Sequence, residues 1–375
     1  MRYMPVLDAV RFLSALMVLL MHMGWRNPYD VVQYNPGWVG VEIFFIISGF
    51  VITGSSREVT PLAFARRRIA RLYPAAICCL LVGFVFMRGF GNVYARATGL
   101  AIDDSVAALL GSLTLIGPQR LASALWTLPV ELMFYALVML SISRNAAGRL
   151  HLLAYALILW SAPYLILSFA SMFGWAPFTV LPLGYGYWNM TFLRHGCFFG
   201  LGTLIFLLSE RASTDRNGRT ERGMIVLALS FCCLEIAGRA YELAPLYLRE
   251  TSALGLACSA MAIFLFFVAV VWRGAIFNEE IRLSPRAQAL LRTLGLMSYP
   301  IYLLHEAVAG TIMGFLISRG ANTVFAQLYG ISVVILLSLA IVLYLEPIVR
   351  AGLMRVIDPL LTGSFAKGRT ALNQR

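Results

Sequence analysis

The chain has 375 residues, 60% of them hydrophobic and only 13% charged, with a formal net charge of +12. Soluble globular proteins carry about 25% charged residues, so that class is excluded, and the apolar residues here come in blocks of about twenty, the length a helix needs to cross a bilayer. A transmembrane barrel is excluded as well, because it would alternate apolar and polar residues in runs of about ten. The basic residues sit in short clusters between the apolar blocks, where they set topology and meet anionic headgroups rather than nucleic acid.

In chain order, the hydropathy pattern predicts an all-α, polytopic integral membrane protein with about ten transmembrane helices. These fall near 6–24, 38–56, 73–90, 124–142, 151–172, 189–208, 223–239, 252–272, 294–317 and 325–346. The first run is followed by Gly24-Trp25-Arg26-Asn27-Pro28 rather than a small-residue cleavage site, so it reads as a retained span and not a signal peptide. Ser105 to Ile116 is apolar but too short to cross, and is predicted as a re-entrant or interfacial helix. The segment Gly174 to Trp188 holds Trp175, Phe178, Tyr185, Tyr187 and Trp188 without a charge. It reads as an interfacial aromatic belt, with a sugar-stacking surface as the alternative. Six cysteines lie inside apolar segments, a placement that suggests buried thiols rather than disulfides or metal ligands.

Charge tests the helix count. With the N-terminus inside, the cytoplasmic segments carry 21 basic residues and the outer ones seven. One helix more or fewer would scramble that asymmetry. N- and C-termini are therefore both expected in the cytoplasm, with residues 1–355 as the transmembrane domain and 356–375 as a basic cytoplasmic tail.

Ionisable groups within spans are costly and mark function by default. Here they are Arg11, His22, Glu42, Glu131, Arg194, His195, Glu235 and His305. Each could also be held in a buried ion pair, and Glu235, near a helix end, could snorkel. Eleven residues at ~100° each return Arg11 and His22 to the same helix face, ~16 Å apart along the axis. The second helix runs the other way, placing Glu42 at the depth of His22, where a carboxylate could orient the imidazole. Arg68 and Arg71 share a face at the inner start of the third span, an arrangement suited to phosphate.

These residues also carry a resemblance. Leu7-Asp-Ala-Val-Arg11 with its Arg-x10-His spacing to His22 is similar to the first-helix motif of the acyltransferase family 3 membrane proteins. So are Gly40-Val-Glu-Ile-Phe-Phe-Ile-Ile-Ser-Gly-Phe50, Arg68-Ile-Ala-Arg71 with Tyr73-Pro74, Trp126-Thr-Leu-Pro-Val-Glu131-Leu-Met-Phe-Tyr135 and Ser298-Tyr-Pro-Ile-Tyr-Leu-Leu-His305 to later motifs, in family order. Thr127 stands where the family usually has Ser, and Leu132 where a second acidic residue is common. No hydrolase-like domain of the kind some members carry lies within the 375 residues.

The resemblance implies an O-acyltransferase of the bacterial inner membrane. It would move an acyl group from cytoplasmic acyl-CoA, usually acetyl-CoA, to a hydroxyl of a carbohydrate acceptor, a surface polysaccharide or lipid-linked glycan. Membrane lipids are the other partners, and no metal is expected. The resemblance adds Glu131 to His22 and Glu42 as catalytic candidates, and Tyr299 and His305 to Arg11, Arg68 and Arg71 as donor-binding ones. His22 would act as a general base on the acceptor hydroxyl or as a transient acyl carrier, the base being preferred. The competing readings are a polyprenyl-linked glycan polymerase or glycosyltransferase, which should show larger outer loops. A carrier or flippase should show broken helices in paired halves.

Overall fold

Backbone polar groups have no water to bond to inside a bilayer, so each span must satisfy its own. The computed structural model is accordingly helical throughout what it describes: residues 3–25, 35–90, 104–116, 121, 123–175, 187–211, 219–246, 252–277 and 283–372. The helices are α1 (Pro5–Trp25), α2 (Val39–Ser55), α3 (Pro61–Phe90), α4 (Val106–Leu113), α5 (Thr127–Ser143) and α6 (Leu150–Met172). They continue with α7 (Gly196–Arg211), α8 (Arg219–Leu243), α9 (Ala253–Ile276), α10 (Pro285–Leu304), α11 (Thr311–Ser318), α12 (Thr323–Ala340) and α13 (Glu346–Leu372). Wide π turns at His305–Gly310 and Ile341–Leu345 join α10 to α11 and α12 to α13.

Among the described residues, nine helical segments are long and apolar enough to cross a membrane, and α2, with 17 residues, is a shorter apolar tenth. The expected ten-span architecture is therefore present. The boundaries differ most at the third and ninth spans, which start earlier than expected, and at the tenth, which was expected to end at 346 but continues helically to Leu372. The third span was expected to begin at 73, yet α3 is one 30-residue helix that also carries Arg66, Arg67, Arg68 and Arg71. At ~45 Å it exceeds the ~30 Å hydrocarbon thickness, so its arginine turns can stand proud of the apolar slab. The ninth span likewise starts at Pro285 rather than 294, where Ser284 caps the amide of Ala287 and Pro285 occupies the first turn. Segment 105–116 forms the short helix α4, capped by Ser105. Most of the aromatic stretch 174–188, and the arginines at 26, 96, 120, 216, 249 and 282, lie outside the described residues.

Burial grades the helices. α2 is buried along most of its length, and 83% of the apolar window spanning Asn189–Glu210 is inside the protein. By contrast α6, α8 and α12 expose large apolar side chains such as Trp160, Val226 and Leu336, as lipid-facing helices must. All six cysteines are free; Cys258, expected to be buried, instead sits exposed on α9. The central pair is α2 with α7. A Cβ on Gly49 would run into the backbone of Phe199, and one on Gly202 into the backbone of Ile46. Thr53 donates to Thr203 across the same seam at 3.0 Å. Small residues at such seams let backbones approach where no hydrophobic effect drives association. α1 packs along α10 and α2, and Gln327 of α12 donates to the Met23 carbonyl at the end of α1.

Gly202→Ala should therefore destabilise the protein by about 1–3 kcal/mol through overpacking, despite the better helix propensity of alanine. Gly352→Ala, on α13 with open space around it, should be neutral or gain up to ~1 kcal/mol. Thermal unfolding of both variants in detergent checks the contrast, and equal melting temperatures would refute the seam.

Candidate active site

Two adjoining cavities lie along α1. The first, about 320 Å³, is lined by Arg11 of α1, Ser48 of α2, Arg67, Arg68 and Arg71 of α3, Glu131 and Tyr135 of α5, and Ser298 and Tyr299 of α10. The second, about 80 Å³, is lined by His22 of α1, Glu42 of α2, Trp126, Arg194, His195, Glu235 of α8 and His305. Val41 and Tyr302 line both and so form the partition. Phe45 belongs to the wall of the first cavity and packs its ring on Trp126 and His195 of the second. Since α1 is unbroken from Pro5 to Trp25, a ~16 Å rise separates Arg11 in the lining of the first cavity from His22 in that of the second.

The first cavity is strongly cationic. Arg66 leaves the cluster to make a two-pronged bond to Asp358 of α13, at 2.6 and 2.8 Å. Arg67, Arg68 and Arg71 line the cavity and have no carboxylate within ion-pair range among the described residues. Arg11 has only Asp8, at 3.8 Å. Arg68 bonds Ser55 and lies over the rings of Phe64 and Tyr135, 5.1 and 5.4 Å from their centroids, while its Nε is buried without a partner. Tyr299 also buries an unpartnered hydroxyl. Glu131, the one carboxylate in the lining, accepts from Tyr135 at 2.5 Å and from Ser48 at 3.5 Å. Buried donors in excess of acceptors suit a polyanion such as a phosphate chain.

The second cavity holds a histidine pair. The rings of His22 and His305 lie 4.6 Å apart. His22 Nδ1 is 3.0 Å from the Val18 carbonyl and His305 Nδ1 is 2.6 Å from that of Tyr302. A carbonyl can only accept, so both Nδ1 atoms carry a proton, and a ring in its neutral form would offer its lone pair at Nε2. That of His305 is buried and unpartnered. The carboxylate near His22 Nε2 is Glu306, at 3.7 Å. Glu42 does not make that contact; it lines the same cavity with one oxygen buried and unpartnered. The wide turn at His305–Gly310 explains Glu306. Neighbours on an α-helix point ~100° apart, but a wider turn narrows the step, and both side chains are 1% exposed. Such bulges recur at functional sites. The His22–His305–Glu306 ligand atoms lie within 4.8 Å of one another, a two-histidine, one-carboxylate set that could also hold a divalent ion.

The sequence-predicted residues are thus sorted by place. Arg11, Arg68, Arg71 and Tyr299 share the cationic cavity, together with Glu131, which was expected among the catalytic residues. His22 and Glu42 share the second cavity, together with His305, which was expected at the donor. Glu235 does not snorkel to a surface: it is 3% exposed and bonded to Arg194 Nε at 2.6 Å, with Glu242 on the other arm of Arg194 at 2.9 Å. Arg67, Trp126 and Glu306 are site residues to which the sequence assigned no role, though Trp126 opens a family motif and Glu306 adjoins His305. Arg67 was hidden among topogenic charges, and Glu306 by the assumption of regular helix.

An acyltransferase-domain family model matches residues 4–345 of the chain. The O-acetyl transferase of Shigella phage Sf6 is 29% identical over 156 residues, 38% of this chain and 47% of that protein. A Bacillus subtilis (strain 168) protein, provisionally named a peptidoglycan O-acetyltransferase, is 26% identical over 340 residues, 82% of this chain and 49% of its own length. The O-acetyltransferase OatA of Staphylococcus aureus (strain NCTC 8325 / PS 47) is 29% identical over 92 residues, 23% of this chain and 14% of its own. The chain therefore spans about half the length of the first two relatives or less. No solved structure matches it. With a family match over most of its residues, and with that family's motifs gathered around two adjoining cavities, the chain belongs to the membrane acyltransferase family 3.

Proposed function

We propose that the protein transfers an acyl group, most simply acetyl, from acyl-CoA bound in the cationic cavity to a hydroxyl of a surface or exported carbohydrate bound in the histidine cavity. The observation that carries this reading is the pairing of the two cavities at different depths, one chemically suited to a polyphosphate and the other holding two imidazole rings. The ~16 Å rise from Arg11 to His22 along α1 is comparable with an extended pantetheine arm, by chain-length reckoning. Arg11, Arg67, Arg68 and Arg71 hold the phosphates, and Glu131 fixes Tyr135 and Ser48 in the wall beside them. The arm passes the Val41–Phe45–Tyr302 partition and presents the thioester to the histidines. The residue numbers that line these walls fit that path.

In this mechanism His22 Nε2 takes the proton of the acceptor hydroxyl as the oxygen attacks the thioester carbon. The C–O bond forms, the C–S bond breaks, and the proton returns from the imidazolium to the departing thiolate. His305 Nε2 is positioned as proton relay or alternative base, and Glu306, 3.7 Å from His22 Nε2, stabilises the imidazolium. The cationic cavity opens on the cytoplasmic side and the histidine cavity on the outer side of a bacterial inner membrane. The sidedness rests on the distribution of basic residues.

Replacing His22 with Ala should lower kcat for transfer by about 10²–10⁴-fold while acyl-CoA affinity stays near wild type. Single-turnover assays with labelled acetyl-CoA and calorimetric binding measure the two separately. A well-folded variant with normal transfer would dismiss His22 as the base. The double change Arg68→Gln, Arg71→Gln should act in reverse, weakening acyl-CoA binding by at least about tenfold, since hydrogen bonds to charged groups are worth ~1.5–3 kcal/mol each. Unchanged affinity in detergent would reduce these arginines to topology signals. For sidedness, a reporter fused after residue 215 should read cytoplasmic and one after residue 180 external; swapped signals would invert the donor and acceptor faces.

A further inference from the structure

The histidine cavity has a second wall that the acyl-transfer chemistry does not use. Trp38, Glu42, His195 and Glu235 line it, and each is at least 94% buried. Trp38 Nε1, Glu42 Oε2, His195 Nδ1 and Glu235 Oε2 are all buried without a hydrogen-bond partner among the described residues. Native proteins leave few buried polar atoms unpaired, and each one left so costs ~1–3 kcal/mol. Four around one small cavity therefore call for a ligand. Two of these atoms are carboxylate oxygens, which accept hydrogen bonds; one is an indole N–H, which only donates. The complement is a group that presents two or more hydroxyl donors and one acceptor oxygen close together.

The charge on this wall is also defined. Arg194 is fully engaged by Glu235 and Glu242, and Arg239 bonds Glu242 at 2.9 Å. Glu42 has no guanidinium within ion-pair range among the described residues, and Glu235 and Glu242 already occupy Arg194 and leave this wall no spare cation. The Trp126 ring, 5.3 Å from that of His195 and held edge-on to Phe45, supplies a fixed aromatic surface. The cavity volume of about 80 Å³ has room for about five or more water-sized groups, at ~10–15 Å³ apiece. That is the scale of one sugar ring, not of a polymer.

We infer that Trp38, Glu42, His195 and Glu235 form the acceptor subsite for a single uncharged, polyhydroxylated sugar ring, and that a wall without a spare cation rejects acidic sugars. The inference rests on the acyltransferase reading and specifies its acceptor. A neutral ring satisfies the carboxylates through its hydroxyl hydrogens. A uronic acid would bring a carboxylate into a buried site with no free cation to meet it, at a cost that burial enlarges.

Matched pairs of methyl glycosides and methyl glycuronides of the gluco, galacto and manno series give the test, with binding read from intrinsic tryptophan fluorescence of the full-length protein in detergent. At least one neutral member should bind about tenfold or more tighter than its acidic partner. Glu42→Gln should weaken the neutral ligand by about 10- to 100-fold and shrink the discrimination. The same variant should keep wild-type acyl-CoA affinity and a melting temperature near wild type, because the amide keeps the size and shape of the carboxyl group. Trp38→Phe, which removes only the donor, should also weaken the neutral sugar. Equal binding within all three pairs, preference for the acidic members, or no binding of any glycoside would each overturn the subsite. If the preferred glycoside binds as described yet acetyl-CoA is never consumed with it, the subsite stands and the acyltransferase reading fails.

Discussion

The close approach of α2 and α7 is the constraint on which the rest of the site depends. Gly49 and Gly202 remove the side chains that would hold the two backbones apart, at Phe199 and Ile46 respectively. With that gap closed, α2 contributes to both cavities: Glu42 to one, Ser48 and Ile52 to the other, and Val41 to the wall between them. His195, immediately before α7, is carried against Phe45 by the same contact. In a bilayer no hydrophobic force would restore the fit if a side chain intervened, because lipid is as apolar as the helix face. Two glycines thus set how closely α2, which lines both cavities, lies against α7.

α1 and α10 supply the depth scale. α1 carries Arg11 and His22 on one rigid rod, and α10 delivers Ser298 and Tyr299 at the lower level before the wide turn brings His305 and Glu306 to the upper one. A turn of this kind gives up regular hydrogen bonding, a cost that is tolerated where two neighbouring side chains must face one point. Here the point is His22, within 4.8 Å of both partners' ligand atoms. The backbone carbonyls of Val18 and Tyr302 then hold a proton on each Nδ1, so that a ring in its neutral form presents its lone pair at Nε2.

Electrostatically the two cavities are opposites. The lower one gathers arginines with few neighbouring acids, whereas the upper one encloses a network in which Arg194 is neutralised by Glu235 and Glu242. Low dielectric strengthens both fields. The lower chamber thus suits a polyanion and the upper one does not.

The sequence by itself determined the class of structure. Blocks of about twenty apolar residues can satisfy their backbones in a bilayer only as helices, and ten such helices are present. It also determined the Arg11–His22 spacing, because a straight helix converts sequence separation into distance, and the shared face of Arg68 and Arg71. Only the tertiary structure decided which carboxylate stands at which base. Glu42 was at the right depth for His22, but depth is one coordinate of three, and the lateral packing of α10 against α1 brings Glu306 there instead. The same reason moves Glu131 to the arginines and His305 to His22: a motif gives a residue's place along its helix, while the partner across the gap is fixed by how helices pack. The Arg194–Glu235–Glu242 cluster, joining residues 41 and 48 positions apart, is legible only in three dimensions, since a buried charge chooses its partner by proximity and not by period.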